Sequence, residues 1–102
     1  MILWTTKEIA EALLGESKNS INNLENLSIE NVFIDSRKKV HAGLFIALKG
    51  ENTDGHKYIS QAFENGANFA IVEEVPEEIK NSNLVSRLIL VKNTYKALDK
   101  LA

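Results

Sequence analysis

The sequence predicts an α/β domain, with helices layered on a mixed or mostly parallel sheet of about four to five strands. Three observations lead there. Strand-like and helix-like stretches alternate along the chain, the pattern of a layered α/β fold. The run Leu44-Phe45-Ile46-Ala47-Leu48 is apolar without interruption, as in a strand covered on both faces, where a one-sided strand would alternate with polar residues. A chain of 102 residues, 44% hydrophobic and 25% charged, suffices for one core.

The elements follow in order. Thr5 to Gly15 reads as an amphipathic helix with Ile9, Ala12 and Leu13 on its inner face; Thr5 and Glu8 have capping-box spacing and Gly15 is a stop. Trp4, the sole tryptophan, is a packing anchor beside it. The Asn- and Ser-rich stretch from Ser17 to Asn26 is polar enough for a loop. Ile29 to Ile34 has the β-branched content of a strand and runs directly into Asp35-Ser36-Arg37. The strand Leu44 to Leu48 is followed by turn residues from Lys49 to Gly55. Ile59, Ala62 and Phe63 then restore the helical period, and Gly66 ends it. A strand from Phe69 to Val72, the only proline at Pro76, a short helix or turn and a strand from Arg87 to Val91 come next. The last helix starts near Thr94 with Ala97, Leu98 and Leu101 on one face. Its pattern breaks off without a Gly or Pro stop, so a fragment of a longer enzyme is expected.

Composition excludes several functions. Without cysteine there is no disulfide, thiolate metal site or cysteine nucleophile. The longest apolar runs are strand-sized, far below the ~20 residues of a membrane span. Lys7, Glu8 and Glu11 interrupt any secretory core, so a cytoplasmic protein is expected, with no membrane partner. A net charge of −2 with mixed signs offers no field for a nucleic-acid backbone, although a few local groups suffice for a small phosphorylated ligand.

Two loops stand out, Asp35 to Lys39 and Lys49 to His56. Each directly follows a predicted strand, and ligands of open α/β sheets gather beyond the carboxyl ends of strands. Together they offer hydroxyls and amides for a base or ribose (Ser36, Asn52, Thr53), cations for phosphate (Arg37, Lys49) and glycines that admit a ligand close to the backbone (Gly50, Gly55). On chemistry alone solvated turns are the favoured reading, because polar loops with glycines occur in every α/β domain.

The order and spacing of Phe33-Ile34-Asp35-Ser36-Arg37, Leu44-Phe45-Ile46-Ala47-Leu48-Lys49-Gly50, Asp54-Gly55-His56-Lys57-Tyr58-Ile59, Gly66-Ala67 and Ala70-Ile71-Val72 resemble the N-terminal, UDP-binding domain of the Mur ligases. Essentially the whole chain is covered. The resemblance is greatest to the MurF type, which adds D-alanyl-D-alanine to the UDP-muramoyl tripeptide, with MurE, which adds the third amino acid, next. It implies one domain over residues 1–102 that holds UDP-N-acetylmuramoyl-peptide, with the central ATP-binding and C-terminal domains elsewhere in the parent. Ile34, Ser36, Arg37, Lys49, Gly50, Asn52 and Thr53 would be the UDP-binding set, Ser36 at the uridine and Ile34 lining the pocket beside it. Asp35, Asp54, Gly55 and His56 would shape the loops, and pairing with Asp35 suits Arg37 slightly better than phosphate does. Glu51 would point away from a diphosphate.

The parent would use ATP and magnesium, whereas no glycine-rich phosphate loop occurs here, so the domain itself is expected to bind neither and to catalyse nothing alone. The chain departs from the family at His41-Ala42-Gly43, where relatives show Pro-Gly and one variable residue; Gly43 is expected to take over the flexible position. Two other readings stay open: a free-standing interaction module that no longer binds nucleotide, and a hydrolase using Asp35, Asp54 and His56.

Overall fold

The computed structural model describes residues 4–13, 27–50 and 54–101. Strand β1 (Trp4–Thr5) leads into helix α1 (Thr6–Ala12), and β2 (Ser28–Ile29) pairs antiparallel with β1. Then come β3 (Asn31–Phe33), β4 (Gly43–Ile46), a 3-10 turn (Gly55–Tyr58) that continues into α2 (Ile59–Glu64), and β5 (Ala67–Val72). Two further 3-10 turns (Glu77–Ile79, Asn83–Arg87) precede β6 (Leu88–Leu90), and α3 (Thr94–Leu101) follows. Strands β3 to β6 form a wholly parallel sheet in chain order, with Phe33 opposite Phe45, Ile46 opposite Ile71 and Ile71 opposite Ile89.

Alternation along the strands divides the core in two. Leu44, Ile46, Phe69, Ile71, Ile89 and Val91 face one side, where Ile9, Leu13, Ile29, Ala97 and Leu98 cover them. Phe33, Phe45, Ala70, Val72 and Leu88 face the other, under Val40, Ile59, Ala62, Ile79 and Leu84. These last residues come from all three crossovers. When strand order equals chain order, crossovers of one hand must fall on one face, so α1 and α3 are left to cover the other. Both faces of β4 are buried, as its unbroken apolar run predicts.

The first helix keeps its predicted cap. The Glu8 N–H donates to Thr5 Oγ1 (3.3 Å) and the Thr5 N–H to Glu8 Oε1 (3.0 Å), closing the capping box. The helix is shorter than expected, and Ala12 is exposed; among the described side chains of this segment, Ile9 and Leu13, four residues apart, are the ones buried against the sheet. The expected stop at Gly15 and the loop Ser17–Asn26 lie outside the described residues, as do the side chains of Trp4 and Leu101.

The single strand expected over Ile29–Ile34 is two strands in two sheets. At Glu30 the backbone N–H turns to the Ala42 carbonyl (2.8 Å), which ends pairing with β1 before pairing with β4 begins. Gly66, which closes α2, has φ 116°, and a Cβ there would lie 1.8 Å from the Val40 carbonyl oxygen. It meets both conditions that only glycine satisfies. The expectation for Gly43 is corrected: the left-handed residue is Ala42, at φ 50°. Gly43 is required by contact instead, since a Cβ would sit 2.6 Å from the Phe33 ring and from Val40 Cγ2.

Candidate functional site

Because the four strands run parallel, all their carboxyl ends lie on one edge of the sheet, and the loops after β3 and β4 and the start of α3 converge there. They enclose a cavity of 650 Å³. Ile34, Asp35, Ser36 and Arg37 form its first wall, and Leu48, Gly50, Gly55 and Tyr58 its second. Phe45, Gln61 and Tyr95 complete it. A site of this size, apolar with a few polar groups, suits part of a small ligand.

Ser36 is the polar group most firmly set. It is only 7% exposed; its hydroxyl donates to Gln61 Oε1 (2.8 Å), and its carbonyl accepts from Asn65 Nδ2 (2.8 Å). The loop after β3 is thereby pinned to α2. The hydroxyl's proton is committed to Gln61, which leaves its oxygen able to accept. Ile34, Tyr58 and Tyr95 are about half exposed and present apolar surface around this point.

The two cations differ. Arg37 is tied to Asp35 three ways, Nε to Oδ1 (3.1 Å), Nη2 to Oδ2 (3.1 Å) and backbone N–H to Oδ1 (3.0 Å). That bidentate pairing holds the Asp35 carboxyl below its usual range and raises Arg37. Lys49 lies 3.9 Å from Asp54 Oδ2, at the outer limit of an ion pair, and its side chain is more than half exposed. Lys49 is therefore the more readily moved to a ligand, although it does not line the cavity.

Asp54 and His56 are brought together but turned inward. The His56 backbone N–H and ring Nδ1 both contact Asp54 Oδ1 (3.0 and 2.7 Å), and the Glu73 N–H donates to His56 Nε2 (2.9 Å). An amide N–H only donates, so Nε2 is bare and the ring proton sits on Nδ1, directed at Asp54. With both nitrogens occupied and the ring 6% exposed, His56 has no free nitrogen to take a substrate's proton, and neither it nor Asp54 lines the cavity. Asp35 is held by Arg37. The hydrolase grouping of Asp35, Asp54 and His56 thus does not assemble, and among the described residues no three metal-ligating side chains gather. Asn52 and Thr53, with Glu51, fall outside the described residues.

Phe45, Leu48, Tyr58, Gln61 and Tyr95 line the cavity without having been singled out as site residues. Tyr58 and Tyr95 carried one available clue, since each is an aromatic ring on the polar side of a helical pattern. A second cavity, lined by Ser28, Glu30, His41, Asn68 and Arg87 among others, opens at the amino ends of the strands, away from both loops. There His41 is exposed, as expected, and lies 3.1 Å from Glu30.

The profile of the family described as "Mur ligase family, catalytic domain" matches residues 28–102. The chain is 35% identical, over its whole length, to UDP-N-acetylmuramoyl-tripeptide--D-alanyl-D-alanine ligase of Haemophilus influenzae, covering 20% of that protein. It is 46% identical over 76% of its length to UDP-N-acetylmuramoyl-L-alanyl-D-glutamate--2,6-diaminopimelate ligase of Clostridioides difficile, covering 15% of it. Among solved structures, MurF of Acinetobacter baumannii superposes with a TM-score of 0.74 at 30% identity, over 96% of this chain and 20% of that one. The chain thus spans about a fifth of the length of such relatives.

Proposed function

The chain belongs to the Mur ligase family, and from that premise we propose that it is a substrate-recognition domain holding the UDP end of UDP-N-acetylmuramoyl-tripeptide for ligation to D-alanyl-D-alanine. The observation that carries the reading is Ser36, a buried and oriented hydroxyl in the wall of a mostly apolar cavity at the carboxyl edge of a parallel sheet. Ile34 and Leu48 take the flat faces of the nucleoside, Tyr58 and Tyr95 flank them, and Ser36 meets a polar edge, over a floor that Phe45 backs from the core. Lys49, released from Asp54, answers the diphosphate with Gly50, Asn52 and Thr53 beside it, while Arg37 with Asp35 keeps the first loop in shape. Asp54, Gly55 and His56 shape the second.

The domain's contribution to ligation is positional. Nucleotide contacts far from the reacting carboxylate hold the substrate in line, so binding energy gained here is used there. ATP, magnesium and the bond-forming step belong, in this reading, to the further length that the relatives possess. The D-alanyl-D-alanine type is favoured over the diaminopimelate type because relatives of the former match the entire chain. The protein is cytoplasmic in this reading; among the described residues no helix is long and apolar enough to cross a membrane.

The test is an amide NMR titration of the 102-residue chain with UDP and then with UDP-N-acetylmuramoyl-tripeptide. Saturable shifts at residues 34–37 and 48–58, weakened about tenfold by Ser36→Ala as befits a lost buried hydrogen bond, are expected. No shift at millimolar ligand would sink the reading in favour of an interaction module.

A further inference from the structure

The two walls that receive a ligand between them pose a geometric problem. Leu48, Gly50, Gly55 and Tyr58 follow β4, and Tyr95 follows β6, but β5 lies between those strands. No hydrogen bond of the sheet joins β4 to β6, so the spacing across the cavity must be set over the end of β5. Glu73, the first residue after β5, gives its N–H to His56 Nε2 (2.9 Å), and its carboxylate Oε2 accepts from the Thr94 N–H (3.0 Å) and hydroxyl (3.2 Å) at the start of α3. An outer link, the Tyr95 hydroxyl to the Lys49 carbonyl (3.3 Å), is longer and exposed.

We propose that His56 is the positioning residue of the nucleotide site: through Glu73 it fixes the loop after β4 against α3, and it couples ligand occupancy of the cavity to the first turns of that helix. The inference rests on the UDP reading above. His56 itself touches no ligand. Its two nitrogens have unequal duties. The Asp54 side chain is already held by the His56 backbone N–H (3.0 Å), so the turn keeps a bond if the ring is lost. Nε2 takes the Glu73 N–H, so it is the ring atom that ties the loop after β4 to the end of β5. Coupling of this kind is reciprocal, so whatever loosens the link weakens binding, and binding tightens α3.

Two substitutions separate the nitrogens. His56→Asn places an amide N–H where Nδ1 stands and keeps Asp54 while abandoning Glu73. His56→Gln places an amide oxygen where Nε2 stands and keeps Glu73. The probe is UDP, with affinity read from loop amides and the response of α3 read from hydrogen exchange at Ala97 and Leu98, both well below the melting temperature. In the unsubstituted chain UDP is expected to slow that exchange. His56→Asn should bind about tenfold more weakly, the scale of one buried hydrogen bond, and lose the α3 response; His56→Gln should stay within about threefold and retain it.

Equal affinities and an intact α3 response in His56→Asn would overturn the proposal. So would equal weakening in both variants with the response preserved, the mark of a merely structural ring. If His56→Asn does not fold, His56→Gln decides alone, since loss of its α3 response overturns the coupling. Failure of the unsubstituted chain to bind UDP would instead remove the functional reading on which the inference stands.

Discussion

At Asp54, burial and hydrogen bonding pull in opposite directions. Partial burial pushes its carboxyl up, but the His56 backbone N–H, the His56 ring and the Lys49 ammonium together outweigh it and hold the group below its ordinary value of 3.8. A carboxylate depressed by folding contributes stability that is complete above its unfolded value and is lost as pH falls through the folded one. Asp54→Asn should therefore melt lower than the unsubstituted chain at pH 7, and the gap should close below about pH 4. A gap in thermal midpoints that does not narrow as pH falls from 7 to below about 4 would contradict this. Residues of this kind were only partly legible. Asp35-Ser36-Arg37 and Asp54-Gly55-His56 announced themselves because their chemistry is local, a carboxylate two residues from its partner. Gln61 did not, because what places it at the cavity is the packing of α2, which no short stretch of sequence encodes; Tyr95 offered only its ring on the polar side of a helical pattern.

Among the elements, the turn that feeds β4 carries a cost visible in the backbone. Ala42 holds φ 50°, in the region that side chains resist. Ala42→Gly relieves roughly 1–2 kcal/mol of that strain, partly offset by added freedom of the unfolded chain, so a net gain of up to about 1 kcal/mol is expected. A urea midpoint that falls instead would show that the Ala42 methyl, which is buried, contributes more than its backbone loses. Helix and strand existence was legible from period and from unbroken apolar runs, as β4, α2 and β5 show. Boundaries were not, for a reason that Glu30 makes plain: the end of β2 and the start of β3 are decided by one N–H reaching a carbonyl twelve residues away.

In the whole molecule the sheet is shared by both halves of the core, so neither layer has an independent reason to persist. Phe69, fully buried on β5, one of the two inner strands, faces the α1 and α3 side, while its neighbour Ala70 faces the crossovers. Phe69→Ala should cost about 3–5 kcal/mol, a large share of a total near 5–15 kcal/mol. Amide exchange in α2 and α3 should accelerate together; separate release of α3 would show two weakly joined layers instead. The strand order adds a consequence for biogenesis. From β3 onward each strand pairs with the one synthesised just before it, and no later strand inserts between two already in place. A ribosome delivering the chain from its amino end therefore hands each new strand a finished edge to join, and the sheet grows in the direction of translation.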